Sequence, residues 1–210
     1  MTNIIESLKW RYAVKKFDTT KEIPVDDLNT ILEAGRLAPT AYGLQPFDII
    51  VVTDAAKKAE LVPNAYGQAH VADNSALIVL AVRTDVDAAF IAKYTALIET
   101  TRGLPAGSVD GFKDSMIGTV GSMPQDARVT WSQKQAYIAL GMMMTAASEI
   151  KVDNHALEGF NGDKFDEVLG LTARNLHATV ILALGYRDAS DESQNDAKVR
   201  RSGDDMIIRM

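Results

Sequence analysis

The 210-residue sequence contains no cysteine. Disulfides, thiolate metal sites, iron–sulfur clusters and cysteine nucleophiles are therefore excluded. Histidine is scarce. His70, His155 and His177 stand far apart, with no HExxH or His-x-His spacing, so no metal site is expected. Positive charge is outnumbered, with 22 Lys and Arg against 28 Asp and Glu and a formal net charge of −6. That balance argues against nucleic acid as a partner. Long apolar runs are missing as well. Ala76–Val82 and Ile138–Ala147, the latter broken by Gly141 and Thr145, fall short of the roughly 20 residues that cross a bilayer. The opening MTNIIESLKWRYAVKKF holds no apolar signal-peptide core. The expectation is a cytoplasmic protein with no membrane partner. No GxGxxG follows a strand, and neither GxxxxGK[ST] nor GxSxG occurs, so the common nucleotide and hydrolase motifs are absent.

What is present is ordinary globular material, 47% hydrophobic and 24% charged. One domain of this length buries roughly 70% of the surface its unfolded chain exposes. Asn3 suits the cap of a first helix carrying Ile4, Ile5 and Leu8. Pro24, Asp26 and Asp27 open a second over about 25–37, with Leu28, Ile31, Leu32 and Leu37 on its apolar face. Pro39, Gly43 and Pro46 break the chain into a loop. Phe47–Val52 reads as a strand, 54–62 as a helix and Ala76–Val82 as a strand buried on both faces. Residues 86–102 read as helix, and 126–150 as a long central one. The intervening 103–125 is the most glycine-rich stretch and a candidate mobile lid. Thr179–Leu184 is a third strand, 189–197 a polar loop, and Met206–Ile208 a short β-like end that needs an existing sheet edge. With no internal repeat or linker, residues 1–210 read as a single α/β or α+β domain.

Two basic clusters stand out on this acidic chain: Arg11, Lys15 and Lys16, then Lys198, Arg200 and Arg201. Brought together they form a phosphate site; kept apart they are solvated surface patches. Five stretches then carry a resemblance, in order along the whole chain. Ser7–Phe17 (SLKWRYAVKKF) is similar to the R-x-S-x-[RK]-x-[FY] start of the FMN-dependent, oxygen-insensitive NAD(P)H nitroreductase family. Leu32–Phe47 (LEAGRLAPTAYGLQPF) resembles that family's A-P-S-x-x-N-x-Q-P-W loop. Ala65–Gln68, Leu157–Phe160 (LEGF) and Lys198–Arg200 complete the set.

The resemblance implies a three-layer α+β fold with a mixed, mostly antiparallel sheet. It also implies a homodimer, each subunit's C-terminal strand reaching its partner's sheet, with two FMN sites at the interface. Arg11, Lys198 and Arg200 would hold the FMN phosphate, with Tyr12 and Ala13 beside it. Lys15 would sit at the flavin N1/O2 edge, stabilising negative charge on the reduced ring. Gln68 would meet the pyrimidine edge. After Leu157, the backbone N–H groups of Glu158 and Gly159 would face N5 and O4. Pro39, Thr40, Ala41, Gly43 and Gln45 would approach the partner's FMN. The implied reaction is ping-pong: NADH or NADPH gives hydride to flavin N5, then a nitroaromatic or quinone takes it. No side chain need act as catalytic acid or base, since protons can come from solvent. An enone, dihydropteridine or free flavin is the alternative acceptor, and a non-catalytic FMN-binding protein the alternative class.

The departures from the family pattern fall on substrate scope more than on cofactor binding. Ala13 stands for serine, Ala41 for serine, Gly43 for asparagine and Gln68 for asparagine. His70 falls near a lysine of some members, and reads either as a second group at the pyrimidine edge or as a surface or helix-cap residue. Met116 and Ile117 are read as the outer wall of the substrate pocket. Trp131, Tyr137 and Met142–Met144 are read as core, the Glu158 carboxylate as structural, and His155 and His177 as surface or helix-end residues.

Overall fold

The computed structural model describes residues 4–210, so the expected Asn3 cap lies outside the described residues. Four strands form one sheet in the order β1 (Phe47–Val52), β2 (Ala76–Arg83), β4 (Leu176–Gly185), β3 (Asp153–Leu157). Among the described residues every strand pairing is antiparallel, and the one parallel contact is an isolated bridge between Ala13 and Asn154.

The side-chain period of two decides how the layers stack. On β2, Leu77, Val79 and Ala81 feed one core, while Ile78, Leu80 and Val82 feed the other. β4 divides in the same way: Ile181 and Ala183 on one side, Val180, Leu182 and Leu184 on the other. Both faces of the sheet are therefore covered, which explains why β2 is apolar from Ala76 to Val82 although both its neighbours run antiparallel to it. Helices α3 (Ala55–Leu61) and α7 (Gly162–Leu169) lie on the first face. Helices α2 (Val25–Arg36) and α6 (Gln125–Glu149) lie on the second. Gly35 permits the α2–α6 approach, since a Cβ there would stand 2.7 Å from the Met143 sulfur. Local signals start the helices: the side chains of Asp54, Asp87 and Asn161 accept N–H bonds at the starts of α3, α4 (Ala88–Arg102) and α7.

A third, smaller core joins Leu44 to Val86, Ile91, Met116 and Val120. It ties together the 39–45 loop, α4 and the glycine-rich 103–125 stretch, which contains helix α5 (Asp110–Met116) and a π-helical turn, Ile117–Gly121. Met116 is fully buried in this core, which corrects its placement on the outer wall of a pocket; Ile117 packs against it half-buried.

Two further sequence readings need correction. β3 was not anticipated, and His155 lies buried in it rather than on the surface. Tyr137 is 38% exposed rather than in the core. Met206–Ile208, read as needing a sheet edge in this subunit or a partner's, pairs with no strand of its own chain among the described residues. After helix α1 (Ile4–Trp10) at the other end of the sequence, the C-terminal residues hold only the short α8 (Gly203–Met206), and Ile207 and Ile208 are exposed.

Candidate functional site

The site is assembled around the segment 11–15, which leaves α1 and runs beside the edge strand β3, bridged in parallel from Ala13 to Asn154. Arg187 sets its course. The guanidinium pairs with the Asp153 carboxylate, its Nε 3.0 Å from Oδ1, and lies 4.4 and 4.6 Å from the ring centres of Trp10 and Tyr12. Asp191 fixes the other side. Its Oδ2 accepts the Tyr12 hydroxyl at 3.0 Å and the Lys15 N–H at 2.9 Å. Burial pushes the Asp191 carboxyl up, but the N–H of Lys15, the Tyr12 hydroxyl and other backbone N–H groups outweigh it and hold it below the ordinary range. The same contact, with burial as the larger cause, raises the Tyr12 phenol. Asp191 was not singled out in the sequence; its local signal, an Asx turn onto the Ser193 N–H, points only to a turn.

This frame brings most of the two basic clusters together, leaving out Lys16, which bonds Ser190, and Arg201, which bonds the Asp205 carbonyl. Arg11, Tyr12, Ala13, Lys15, Lys198 and Arg200 line one cleft of about 440 Å³. Lys198 donates to the carbonyls of Leu8, at 3.1 Å, and Arg11. Burial and the nearby Arg200 lower Arg11 below its ordinary value; burial, Arg11 and Arg200 do the same to Lys198. Among the described residues none of these three cations forms an ion pair with a carboxylate, and the Arg11 Nε is buried with no partner. Three converging cations with an unmet donor are complementary to a polyanion such as a phosphate.

Beyond Lys15 the strip continues along β3. Lys15 Nζ stands 3.4 Å from His155 Nε2, and the rings of His155 and His70 stack with centres 4.4 Å apart. His70 is 7% exposed, so it is neither a surface residue nor an open pocket group. Gln68 closes the row. Its Nε2 donates to the carbonyls of Ala65 at 3.0 Å and Gly159 at 2.8 Å. Both partners are acceptors, so the network itself orients the amide, and Oε1 is the atom left for a ligand. Leu157 is buried, while Glu158 and Gly159 are exposed at the strand's end. The Glu158 carboxylate accepts the Tyr137 hydroxyl, a structural use, and with burial this raises the Tyr137 phenol.

The remaining residues of interest form a separate group. In the 39–45 loop, Pro39 is exposed, Ala41 N–H donates to Gln135 Oε1 at 2.8 Å, and Gln45 N–H donates to Thr40 Oγ1 at 3.1 Å. Gln45 Nε2 reaches the Arg36 carbonyl, and the Tyr94 hydroxyl donates to the Tyr42 carbonyl at 2.7 Å. None of these bonds reaches the 11–15 strip. Gly43 has a φ of 72°, and a Cβ there would collide with the Tyr94 hydroxyl, which explains the absence of asparagine. His177, also read as a surface residue, is half-buried, with Nδ1 2.7 Å from Asp166 Oδ2. Asp163 stands near the same pair, but the other Asp166 oxygen accepts the Ala178 N–H, so the pair fastens α7 to β4.

No helix among the described residues is long and apolar enough to cross a membrane. A family model described as "Nitroreductase family" matches residues 8–186. A Staphylococcus epidermidis protein named "Putative NAD(P)H nitroreductase" is 31% identical over 217 residues, covering 97% of this chain and 95% of that one. An Exiguobacterium sibiricum protein described as a "putative nitroreductase in complex with FMN" shares the fold with a TM-score of 0.84 at 22% identity, covering 100% and 98% of the two chains. A gut-bacterial enone reductase matches with a TM-score of 0.84 at 16% identity, covering 100% and 99%. The sheet, the gathered basic residues and the extent of these matches agree, and the chain belongs to the nitroreductase family.

Proposed function

We propose that the protein is an FMN-dependent oxidoreductase that takes reducing equivalents from NADH or NADPH and delivers them to nitroaromatics, quinones or similar small acceptors. The observation that carries this reading is the meeting of Arg11, Lys198 and Arg200 in one cleft, none of them ion-paired among the described residues, at one end of a strip that runs past Lys15 to Gln68 and Gly159. The fit to the cofactor is chemical: a buried, unpartnered Arg11 Nε meets a phosphate's need for donors.

When bound, FMN would supply the redox chemistry, hydride transfer between a reduced nicotinamide and a small acceptor. The chain's own residues bind and orient. Arg11, Lys198 and Arg200 neutralise the phosphate. Lys15 supplies a fixed cation where negative charge accumulates on reduction. Gln68 Oε1 offers an acceptor to the pyrimidine edge, and the backbone N–H groups of Glu158 and Gly159 offer donors beside it. Protons would come from solvent, since the Asp191 and Glu158 carboxylates are engaged by Tyr12, Lys15 and Tyr137.

A homodimer completes the site in this reading. The 39–45 loop makes its bonds to Arg36, Tyr94 and Gln135, away from its own subunit's strip, and is free to serve the partner's. Exposed Leu8, Ile138, Ile207 and Ile208 supply apolar surface for such an interface. An enone, dihydropteridine or free flavin is a second class of acceptor, and one structural neighbour is described as an enone reductase. Reconstitution tests the reading. The protein mixed with FMN and desalted should retain stoichiometric flavin and a yellow spectrum, and a colourless protein after this treatment would overturn it.

A further inference from the structure

His155 is the third residue of β3, 6% exposed, in a strand whose Asp153 is held by Arg187 and whose Asn154 amide donates to Ser148. Its Nδ1 lies 2.8 Å from the Val14 carbonyl oxygen. A carbonyl only accepts, so Nδ1 carries the proton, and in the neutral ring Nε2 is left as an acceptor. The Lys15 Nζ at 3.4 Å from Nε2 only donates. Two independent neighbours thus require the same tautomer. His70 lies flat against the ring, its plane turned by 16°, and shields that face from water. Burial comes first among the causes that push His155 down to about 4, followed by the charge of Lys15 and by His70; Arg11 adds to them and the Val14 carbonyl opposes them. Burial and then Lys15 lower His70 as well. Two neutral rings therefore stand behind one ammonium.

Among the described residues no carboxylate pairs with Lys15. The distinction is chemical. A carboxylate would hold the ammonium firmly but cancel its charge, whereas a neutral imidazole holds it and leaves the charge whole.

We propose that His155 is the positioning residue for Lys15: its Nε2, fixed as an acceptor by the Nδ1–Val14 bond and backed by His70, aims the ammonium along the cleft without neutralising it. The proposal rests on the reading that Lys15 serves the FMN ring. In the FMN-loaded protein, His155→Ala should weaken FMN binding about tenfold and lower the flavin's reduction potential. His155→Gln, which keeps an acceptor at the end of its side chain, should restore both. His155→Asn, which can still reach the Val14 carbonyl but offers nothing to Lys15, should not. Rescue by Asn and not by Gln would assign His155 a merely structural anchor and overturn the proposal. In a Lys15→Ala background, His155→Ala should add nothing; an undiminished additional effect would also overturn it. Lys15→Ala with wild-type FMN affinity and potential would instead overturn the placement of Lys15 at the flavin. Nitrogen-15 NMR of the unmutated protein needs no variant to fold. It should show His155 protonated at Nδ1 and bare at Nε2 at neutral pH, and the opposite tautomer would refute the proposal outright.

Discussion

Gln68 and Gly159, separated by 91 positions in the chain, are joined by a 2.8 Å hydrogen bond from the Gln68 amide to the Gly159 carbonyl. The bond pins the exposed corner after β3 to the short helical turn before His70. Because both amide hydrogens are committed, to Gly159 and Ala65, the residue presents only its oxygen. Gln68→Glu would remove both donors and bring a negative charge to the pyrimidine edge. FMN binding should weaken about tenfold or more, on the scale of a lost hydrogen bond plus an unfavourable charge. Fluorescence titration of FMN, which is quenched on binding, measures it; affinity equal to wild type would remove Gln68 from the site.

Arg200 lies exposed at the far end of the strip, where its guanidinium reaches the carbonyl of its own neighbour Val199. Truncation to Arg200→Ala deletes a donor fork for the phosphate without disturbing the packed frame. FMN affinity should fall by about 1–3 kcal/mol, the range of a charge-assisted hydrogen bond. The salt dependence of binding should shrink with it, because one cation fewer is screened. Wild-type affinity in this variant would show that the phosphate lies elsewhere.

Acid should destabilise the protein through His155. Its folded value of about 4 lies below the ordinary histidine value of 6.5. Between these two values the unfolded chain binds more protons, so stability rises with pH across the window and is complete above about 6.5. The contribution lost on acidification is at most about 3 kcal/mol. His70, lowered in the same direction, adds to the trend. Urea unfolding at pH 7.5 and pH 5 should show the loss in wild type and a smaller loss in His155→Gln. Equal losses in the two proteins would mean that His155 does not carry it.

The C-terminal apolar residues need cover. Met206 is 68% exposed and Ile208 81%. Truncation after Asp205 should weaken the dimer, seen as a concentration-dependent monomer in sedimentation, and should lower FMN retention in parallel. An intact dimer with full FMN content would contradict a role for this segment in assembly.

Much of this arrangement was legible in the residues, and its gaps have physical causes. The strands Phe47–Val52 and Ala76–Arg83 and the centre of Leu176–Gly185 announce themselves as β-branched or continuous apolar runs. β3 does not, because Asp-Asn-His-Ala-Leu is polar and short. It is a strand because most of its buried polar groups find partners outside it: Arg187 for the Asp153 carboxylate, Ser148 for the Asn154 amide N–H, and Val14 for His155. Such partners lie as far as 141 positions away and leave no local pattern. The same holds for Asp191, an unremarked member of a polar loop that organises Tyr12 and Lys15. Met206–Ile208 looked like a strand from composition alone, yet no edge within its own chain receives it. The basic residues were legible as charge, but only the fold shows that Arg11, Lys198 and Arg200 share one cleft.

The most direct test of an FMN-dependent reductase is an anaerobic two-step mixing experiment on the FMN-loaded protein. NADH or NADPH should bleach the flavin absorbance completely, and a nitroaromatic or quinone added afterwards should restore it without oxygen. Flavin that stays oxidised in the presence of either nicotinamide would contradict the account and mark the protein as an FMN-binding protein without turnover.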